Sequence, residues 1–516
     1  MLDVLTRISR LSPEKLAALS HRLRQEKLEY HRLIPRRADR GKPAAVSFAQ
    51  ERLWFLHQIE PGSLAYNIVG AVDLAGSLDV LSLRSAVKEI VRRHEVLRTG
   101  FVEADGKPLQ VISENATVEI ERDVLESEEP AFIDAWMTQK LRKHFDLTCA
   151  PLLRVYLGSI HQDRHILLTI MHHIVSDGPS MNIYFQELIE IYGRLREQGH
   201  HELPDLQVQY SDFSVWQRER ISEAFLTDEI AYWKKRLEGV ADLPPLVTDY
   251  PRAQGGDQQL AFHTVELSPT HVETFKALAS QKQTTPFVGF LAVFQIVLYH
   301  FTGVTDVVIG SPVTGRTRRE LERVIGLFAS LHILRTDLTG DPDFSEILGR
   351  TRRGVMEVQD HQEVPFQRII EELQPVRRIG QMPLFQVSFT YFSDFEQLPQ
   401  VPGLSVAPIK TSSGVAMYDL DLNLIQRQGA LTATLEYKKA LFDAGTIGGL
   451  IRSFNVAMTA VTQNPDVRLS QICGVLKKAE EDRALELVKE REQKLRARLE
   501  NSRRKALQIQ ARKTED

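Results

Sequence analysis

The sequence predicts an α/β protein built as two lobes, on three observations. The chain has 516 residues, long for a single hydrophobic core. Residues 164–171 (Arg-His-Ile-Leu-Leu-Thr-Ile-Met) are apolar and β-branched enough for a buried strand, and residues 180–192 carry apolar positions at helical spacing behind a Ser where an N-cap belongs. Farther along, the apolar stretch 286–301 reads as a buried helix and is followed by the strand Val307-Val308-Ile309-Gly310.

In chain order, residues 1–43 form an Arg-rich leader in which Ser12-Pro13-Glu14-Lys15 reads as a capped helix start with Pro at its first position. The first lobe is expected over 44–220 and contains the strand-turn-helix unit. A connecting stretch through Trp233 and Pro244-Pro245 opens the second lobe, 221–476. Residues 477–516 contain neither Pro nor Gly and are rich in Lys, Arg, Glu, Ala and Leu, which favours a long exposed helix. Val488, Leu495, Leu499 and Ile509 fall near a heptad seam that Glu492 and Ser502 interrupt, so this tail reads either as a docking helix or as a solvated one. The sequence shows no internal repeat.

A formal charge of −4 argues against a nucleic-acid groove as the main surface. Two cysteines imply no disulfide framework and make a reducing cytoplasm the default location. Met1 to Leu5 lack the basic and apolar blocks of a signal peptide. The run Pro286–Phe301, interrupted by Gln295 and His300, is too short to span a bilayer, so no membrane association is expected.

The chemistry is expected in the turn after the first strand, His172-His173-Ile174-Val175-Ser176-Asp177-Gly178. An imidazole held at a strand end is half-neutral near pH 6.5 and can take a proton. A histidine pair is also found as satisfied core residues or as metal ligands. Three or four ligands are wanted for a metal, whereas Cys149 and Cys473 sit far off and no His follows at the fourth position of a helix, so no metal is expected.

The turn has company. Ser47-Phe48-Ala49-Gln50-Glu51-Arg52-Leu53-Trp54-Phe55-Leu56 is trailed by Ala65-Tyr66-Asn67-Ile68. Arg93-His94-Glu95-Val96-Leu97-Arg98-Thr99-Gly100-Phe101 comes next, then HHxxxDG over His172–Gly178, and then Tyr210-Ser211-Asp212-Phe213-Ser214-Val215-Trp216. Ile325-Gly326-Leu327-Phe328, His361-Gln362-Glu363-Val364-Pro365-Phe366-Gln367 and Pro383-Leu384-Phe385-Gln386-Val387 close the series. Seven segments in this order and spacing resemble the motifs of the condensation domains of nonribosomal peptide synthetases, over nearly the whole chain.

The resemblance implies two chloramphenicol-acetyltransferase-like lobes set as a V-shaped pseudo-dimer around a central tunnel. It implies transfer of an acyl or peptidyl thioester to an amine, each delivered on the phosphopantetheine arm of a carrier protein, with no cofactor bound by this chain. His173 matches the family's catalytic residue. His172 is expected as a support residue, because strand alternation turns it the other way. Asp177 can orient an imidazole as a triad carboxylate does, whereas the resemblance implies an ion pair with Arg316 that joins the lobes. Gly178 is read either as leaving room for substrate and offering a backbone N–H to an oxyanion, or as a turn glycine at positive φ.

Three positions depart from the family pattern. Pro179 stands where a Trp is frequent, Ser330 where an Asn is usual, and residues 377–382 lack the usual Asp, Ser and second Arg; these bear on substrate class. The leader resembles a linker to an upstream carrier domain, and with Met1 at its start a free-standing enzyme served by carriers in trans is expected. Alternatives of the same fold are an ester-forming acyltransferase and a non-catalytic recruitment domain. Epimerisation is disfavoured by the complete first and second motifs and by the form of the fifth.

Overall fold

The computed structural model describes residues 34–486 apart from 241–242, 253–257, 376–380, 394–397, 412–413 and 428, together with 488, 489 and 493. The leader helix expected near Ser12 and most of the heptad positions in the tail lie outside the described residues. The tail is helical over 469–486, and Leu485 and Val488 are exposed.

The first lobe runs β1 (Ala44–Ala45), α1 (Phe48–Ile59), β2 (Asn67–Gly76), α2 (Val80–Arg93), β3 (Thr99–Ala104), β4 (Lys107–Ile112), β5 (Ile120–Val124), α3 (Pro130–Leu141), β6 (Leu153–His161), β7 (Arg164–His172), α4 (Gly178–Gln198) and α5 (Tyr210–Arg220). The second continues with α6 (Glu223–Arg236), β8 (Leu260–Leu267), α7 (Pro269–Gln281), α8 (Pro286–Thr302), β9 (Asp306–Val313), β10 (Ser330–Asp337), α9 (Phe344–Asp360) and α10 (Phe366–Leu373). It ends with β11 (Val387–Phe392), β12 (Leu404–Ile409), β13 (Leu420–Arg427), β14 (Ala430–Lys438) and α11 (Ala444–Gln463).

The local signals explain several boundaries. Ser47 and Gln50 form a reciprocal capping box at the start of α1, so the first motif is a helix start as well as a recognition signature. Thr285 caps α8 ahead of Pro286, and Gly303 ends it in the left-handed region at φ 72°. All of α8 from Val288 to Leu298 is buried, including Gln295, whose amide donates to Thr336 Oγ1 while its carbonyl accepts from Thr351. Among the described residues no single helix is long and apolar enough to cross a membrane.

The expected N-cap of α4 needs correction. Asp177 is the cap, and its carboxylate accepts the N–H of Ser180, which is the third residue of the helix. Asp caps as well as Ser does, and the earlier start places Pro179 in the first turn, where its missing N–H costs nothing.

Two sheets and two apolar cores organise the molecule. The first sheet has five strands in the order β12-β2-β7-β6-β5, the second six in the order β10-β9-β11-β13-β14-β8, and β1-β4-β3 make a small third. The cores do not follow the chain division expected at residue 220. Strand β12, from the second half of the sequence, pairs antiparallel with β2 of the first sheet, Leu404 opposite Gly76 and Ile409 opposite Ala71. The loop between β9 and β10 likewise sends Leu321, Val324, Ile325, Leu327 and Phe328 into the first core. Two segments of the second lobe are thus structural parts of the first.

Candidate active site

The site begins where β7 ends. The ladder closes with His172 opposite Asn67, and the chain then makes one tight 3₁₀ turn, His173–Val175, before α4. Two contacts with the first-motif region hold that turn. The His173 N–H donates to the Tyr66 carbonyl at 2.7 Å, and the Gln50 amide donates to the Ile174 carbonyl at 3.0 Å.

His173 is half-buried, and its Nδ1 lies 2.7 Å from the Ser176 carbonyl oxygen. A carbonyl only accepts, so Nδ1 carries the hydrogen, and in the neutral form of the ring the lone pair is on Nε2. Nε2 has no protein partner among the described residues. The arrangement leaves one oriented proton acceptor.

His172 is different in every respect. It is buried, its Nδ1 accepts the Ile174 N–H at 3.1 Å, and its ring stands edge-on to His57 and Phe145. Burial, with His57 and His173 adding, pushes its pKa down to about 3, so it stays neutral and holds the turn.

Asp177 is fully buried and makes no contact with an imidazole. Its Oδ1 accepts from Ser180 N–H at 2.8 Å and Arg316 Nη2 at 3.0 Å; its Oδ2 accepts from Arg316 Nη1, Phe328 N–H and Ala329 N–H, each at 3.0 Å. With its lone pairs taken by these five donors, it ties α4 to the β9–β10 loop, and a triad role is excluded by geometry. Arg316 is nearly as buried. It also donates to Ser180 Oγ at 2.7 Å and to the Val324 carbonyl at 3.1 Å, and it lies over the Phe328 ring.

Gly178 is not at positive φ, contrary to one of its two expected readings. It is the first residue of α4, where the N–H has no carbonyl of its own helix to meet. A Cβ built on it would meet nothing within 4 Å. Gly178 thus offers open space and a free donor at the start of α4, as an oxyanion site requires. Ser330 opens β10 opposite Val313, and its hydroxyl has no protein partner among the described residues.

Several residues of the site had no role assigned from sequence. Ser180 Oγ donates to the Gly326 carbonyl and accepts the Gly326 N–H, and the Tyr210 hydroxyl donates to the Leu327 carbonyl at 2.7 Å while meeting Ser47 Oγ at 2.8 Å. A Cβ on Gly326 would lie 1.9 Å from the Tyr210 ring, so that position needs glycine. His94 accepts the Ile325 N–H through Nδ1 and meets Glu187 at 2.7 Å through Nε2, which bonds the loop to α2 and α4. The sequence signal was present, since Tyr210, Gly326 and His94 all lie in quoted motifs, but contacts so distant in the chain could not be read from spacing.

The fold is α/β with two linked sheets, and the site presents one oriented imidazole close in sequence to a helix start. The comparisons give its family. The model of the Condensation domain family matches residues 42–485. A linear gramicidin synthase of Brevibacillus parabrevis is 36% identical over 441 residues, 84% of this chain and 6% of that protein. The X-domain of the complex of the X-domain and OxyB from teicoplanin biosynthesis superposes with a TM-score of 0.74 at 25% identity, covering 85% of this chain and 97% of that one. The first condensation domain of the CDA synthetase shares the fold, with a TM-score of 0.71 at 19% identity over 84% of this chain and 98% of its own. The chain belongs to the condensation-domain family of nonribosomal peptide synthetases, and it spans a small part of the synthetases it matches.

Proposed function

We propose that the protein forms an amide bond by transferring an acyl or peptidyl group from a carrier-bound thioester to an amine. The observation that carries this reading is the unpartnered Nε2 of His173, whose ring is fixed by the Ser176 carbonyl, together with the open space at Gly178 where α4 starts. The amine nitrogen attacks the thioester carbonyl, the carbon–sulfur bond breaks, and the carrier thiol leaves. The amine loses one proton, which Nε2 of His173 accepts after attack and returns to the departing sulfur. An α-amine with a pKa near 8 is already partly neutral, so proton management and positioning share the work. The Gly178 N–H faces the carbonyl oxygen as it gains charge. Phosphopantetheine enters as part of the substrate, on carrier proteins, and the chain needs no resident cofactor for these steps.

The likeness to an X-domain solved with OxyB supports a second reading, a domain that recruits a partner enzyme. An intact-mass assay separates the two. Donor and acceptor carriers, loaded and supplied as separate proteins, are expected to show the acyl mass moving to the acceptor only when the protein is present. Unchanged carrier masses, with a stable complex to a tailoring enzyme, support recruitment instead.

A further inference from the structure

The C-terminal end of the chain takes no part in the site described so far. The helix over 469–486 is anchored by Leu469, Ile472 and Leu476 in the second core, and Glu480 meets His300 Nε2 at 3.2 Å and Ser453 Oγ at 3.4 Å. From Ala484 onward every described residue is exposed. Leu485 is 60% exposed and Val488 53%. Spaced three apart, they share one helix face and open an apolar stripe that no side chain among the described residues covers.

In the sequence, the alternating spacing of three and four residues continues from that pair. With Leu485 as an a position and Val488 as d of a heptad frame, Leu495, Leu499 and Ile509 hold the same seam, and Glu492 and Ser502 are its polar members. The flanks are more informative. Lys489, Arg496 and Arg503 fall on e, and Arg491, Arg498 and Lys505 on g, so every flanking position from 489 to 505 is basic. Glu486, Glu490 and Glu500 fall on b and f, away from the seam.

Such flanks decide what can lie in the seam. The e and g residues of facing helices meet across a coiled coil, so a second copy of this segment would set Lys and Arg against Lys and Arg in either orientation. Self-pairing is therefore opposed. A membrane surface fits no better, because Glu492 stands in the seam and a helix lying on lipid needs a continuous apolar face. A nucleic-acid backbone would meet the basic flanks and leave Leu495 and Leu499 uncovered. An acidic helix of the same period satisfies both features, its apolar residues covering the seam and its carboxylates meeting the flanks.

We propose that the seam beginning at Leu485 and Val488 is a docking site for an acidic amphipathic helix of a partner protein, one with Asp or Glu at its own e and g positions. Glu492 and Ser502 then fix the register, as single polar seam residues do in coiled coils. The inference does not rest on the transferase reading, since docking is measured as binding whatever the docked protein delivers.

The test uses two synthetic heptad peptides with Val at a and Leu at d, one carrying Glu at every e and g position and the other Lys. Calorimetric titration of the full chain is expected to show the acidic peptide binding at least about tenfold tighter than the basic one, with the difference shrinking as salt rises. Combining Arg496→Glu, Arg498→Glu and Arg503→Glu is expected to reverse the preference, and Leu495→Ser with Leu499→Ser to abolish binding of either peptide. All these variants are expected to keep the wild-type unfolding temperature, because the substituted residues follow Leu476, the last residue of the second core. Equal affinities for the two peptides, no binding of the acidic one, or self-association of the full chain that the paired Ser substitutions remove overturns the proposal. Binding of phosphatidylglycerol vesicles or of a single-stranded oligonucleotide in place of the acidic peptide, unaffected by the Ser substitutions, assigns the basic residues to an anionic surface and overturns it as well.

Discussion

In the proposed reaction His173 and Gly178 are the two residues that meet the substrate. A Cβ at Gly178 meets no protein atom, so Gly178→Ala is expected to keep the wild-type unfolding temperature and to change turnover, because the methyl enters the space assigned to the substrate carbonyl. Steady-state kinetics beside a thermal melt check this, and unchanged kinetics place the substrate elsewhere. His172 gives a stability signature instead. Its folded pKa of about 3 lies below the ordinary value of 6.5. Between those values the unfolded chain binds the proton and the folded one does not, so its contribution is complete above about pH 6.5 and declines as the pH falls toward 3. His172→Gln keeps an acceptor for the Ile174 N–H and is expected to lose less stability than the wild type between pH 7.5 and pH 5. Parallel pH profiles from denaturant titrations contradict that assignment. That these residues share one turn was legible because HHxxxDG is local. The tautomer of His173 was not, since it depends on the Ser176 carbonyl, whose direction only the folded turn defines.

At the scale of elements, the N-terminus of α4 and the β9–β10 loop act as one unit. Asp177 caps the helix and at the same time accepts from Arg316, Phe328 and Ala329. Removing either Asp177 or Arg316 leaves a buried charge without its partner, a cost of about 3–5 kcal/mol. Asp177→Asn and Arg316→Met are each expected to lower stability, and the double substitution to cost less than the sum of the two. Additive losses in a double-mutant cycle contradict a direct pair. The strand at 164–172, the buried helix at 286–302 and the strand at 306–313 were legible from apolar patterning. The cap of α4 was misread by three residues because Asp177 and Ser180 are both good caps and only one has the extended backbone that a cap needs.

For the whole molecule, the two lobes share segments and are expected to unfold together. Strand β12 completes the first sheet, and Leu321 to Phe328 fill the first core although both segments come from the second half of the chain. Trp54, Trp136 and Trp216 lie in the first core and Trp233 in the second, so fluorescence can follow each lobe through single-tryptophan variants. Coincident denaturation midpoints are expected, and two separated transitions contradict the shared core. This exchange was not legible, because β12 pairs with a strand more than three hundred residues earlier and apolar patterning carries no information about partners. The family's motifs pointed to the fold; the pairing gives the physical reason the site holds its shape. The central proposal is that His173 manages the proton of amide formation in that site. Single-turnover transfer from a loaded donor carrier, followed by intact mass for wild type and His173→Ala at matched thermal stability, tests it most directly. The account predicts that the variant keeps its fold and transfers about 10² to 10⁴ times more slowly; transfer at the wild-type rate would contradict it.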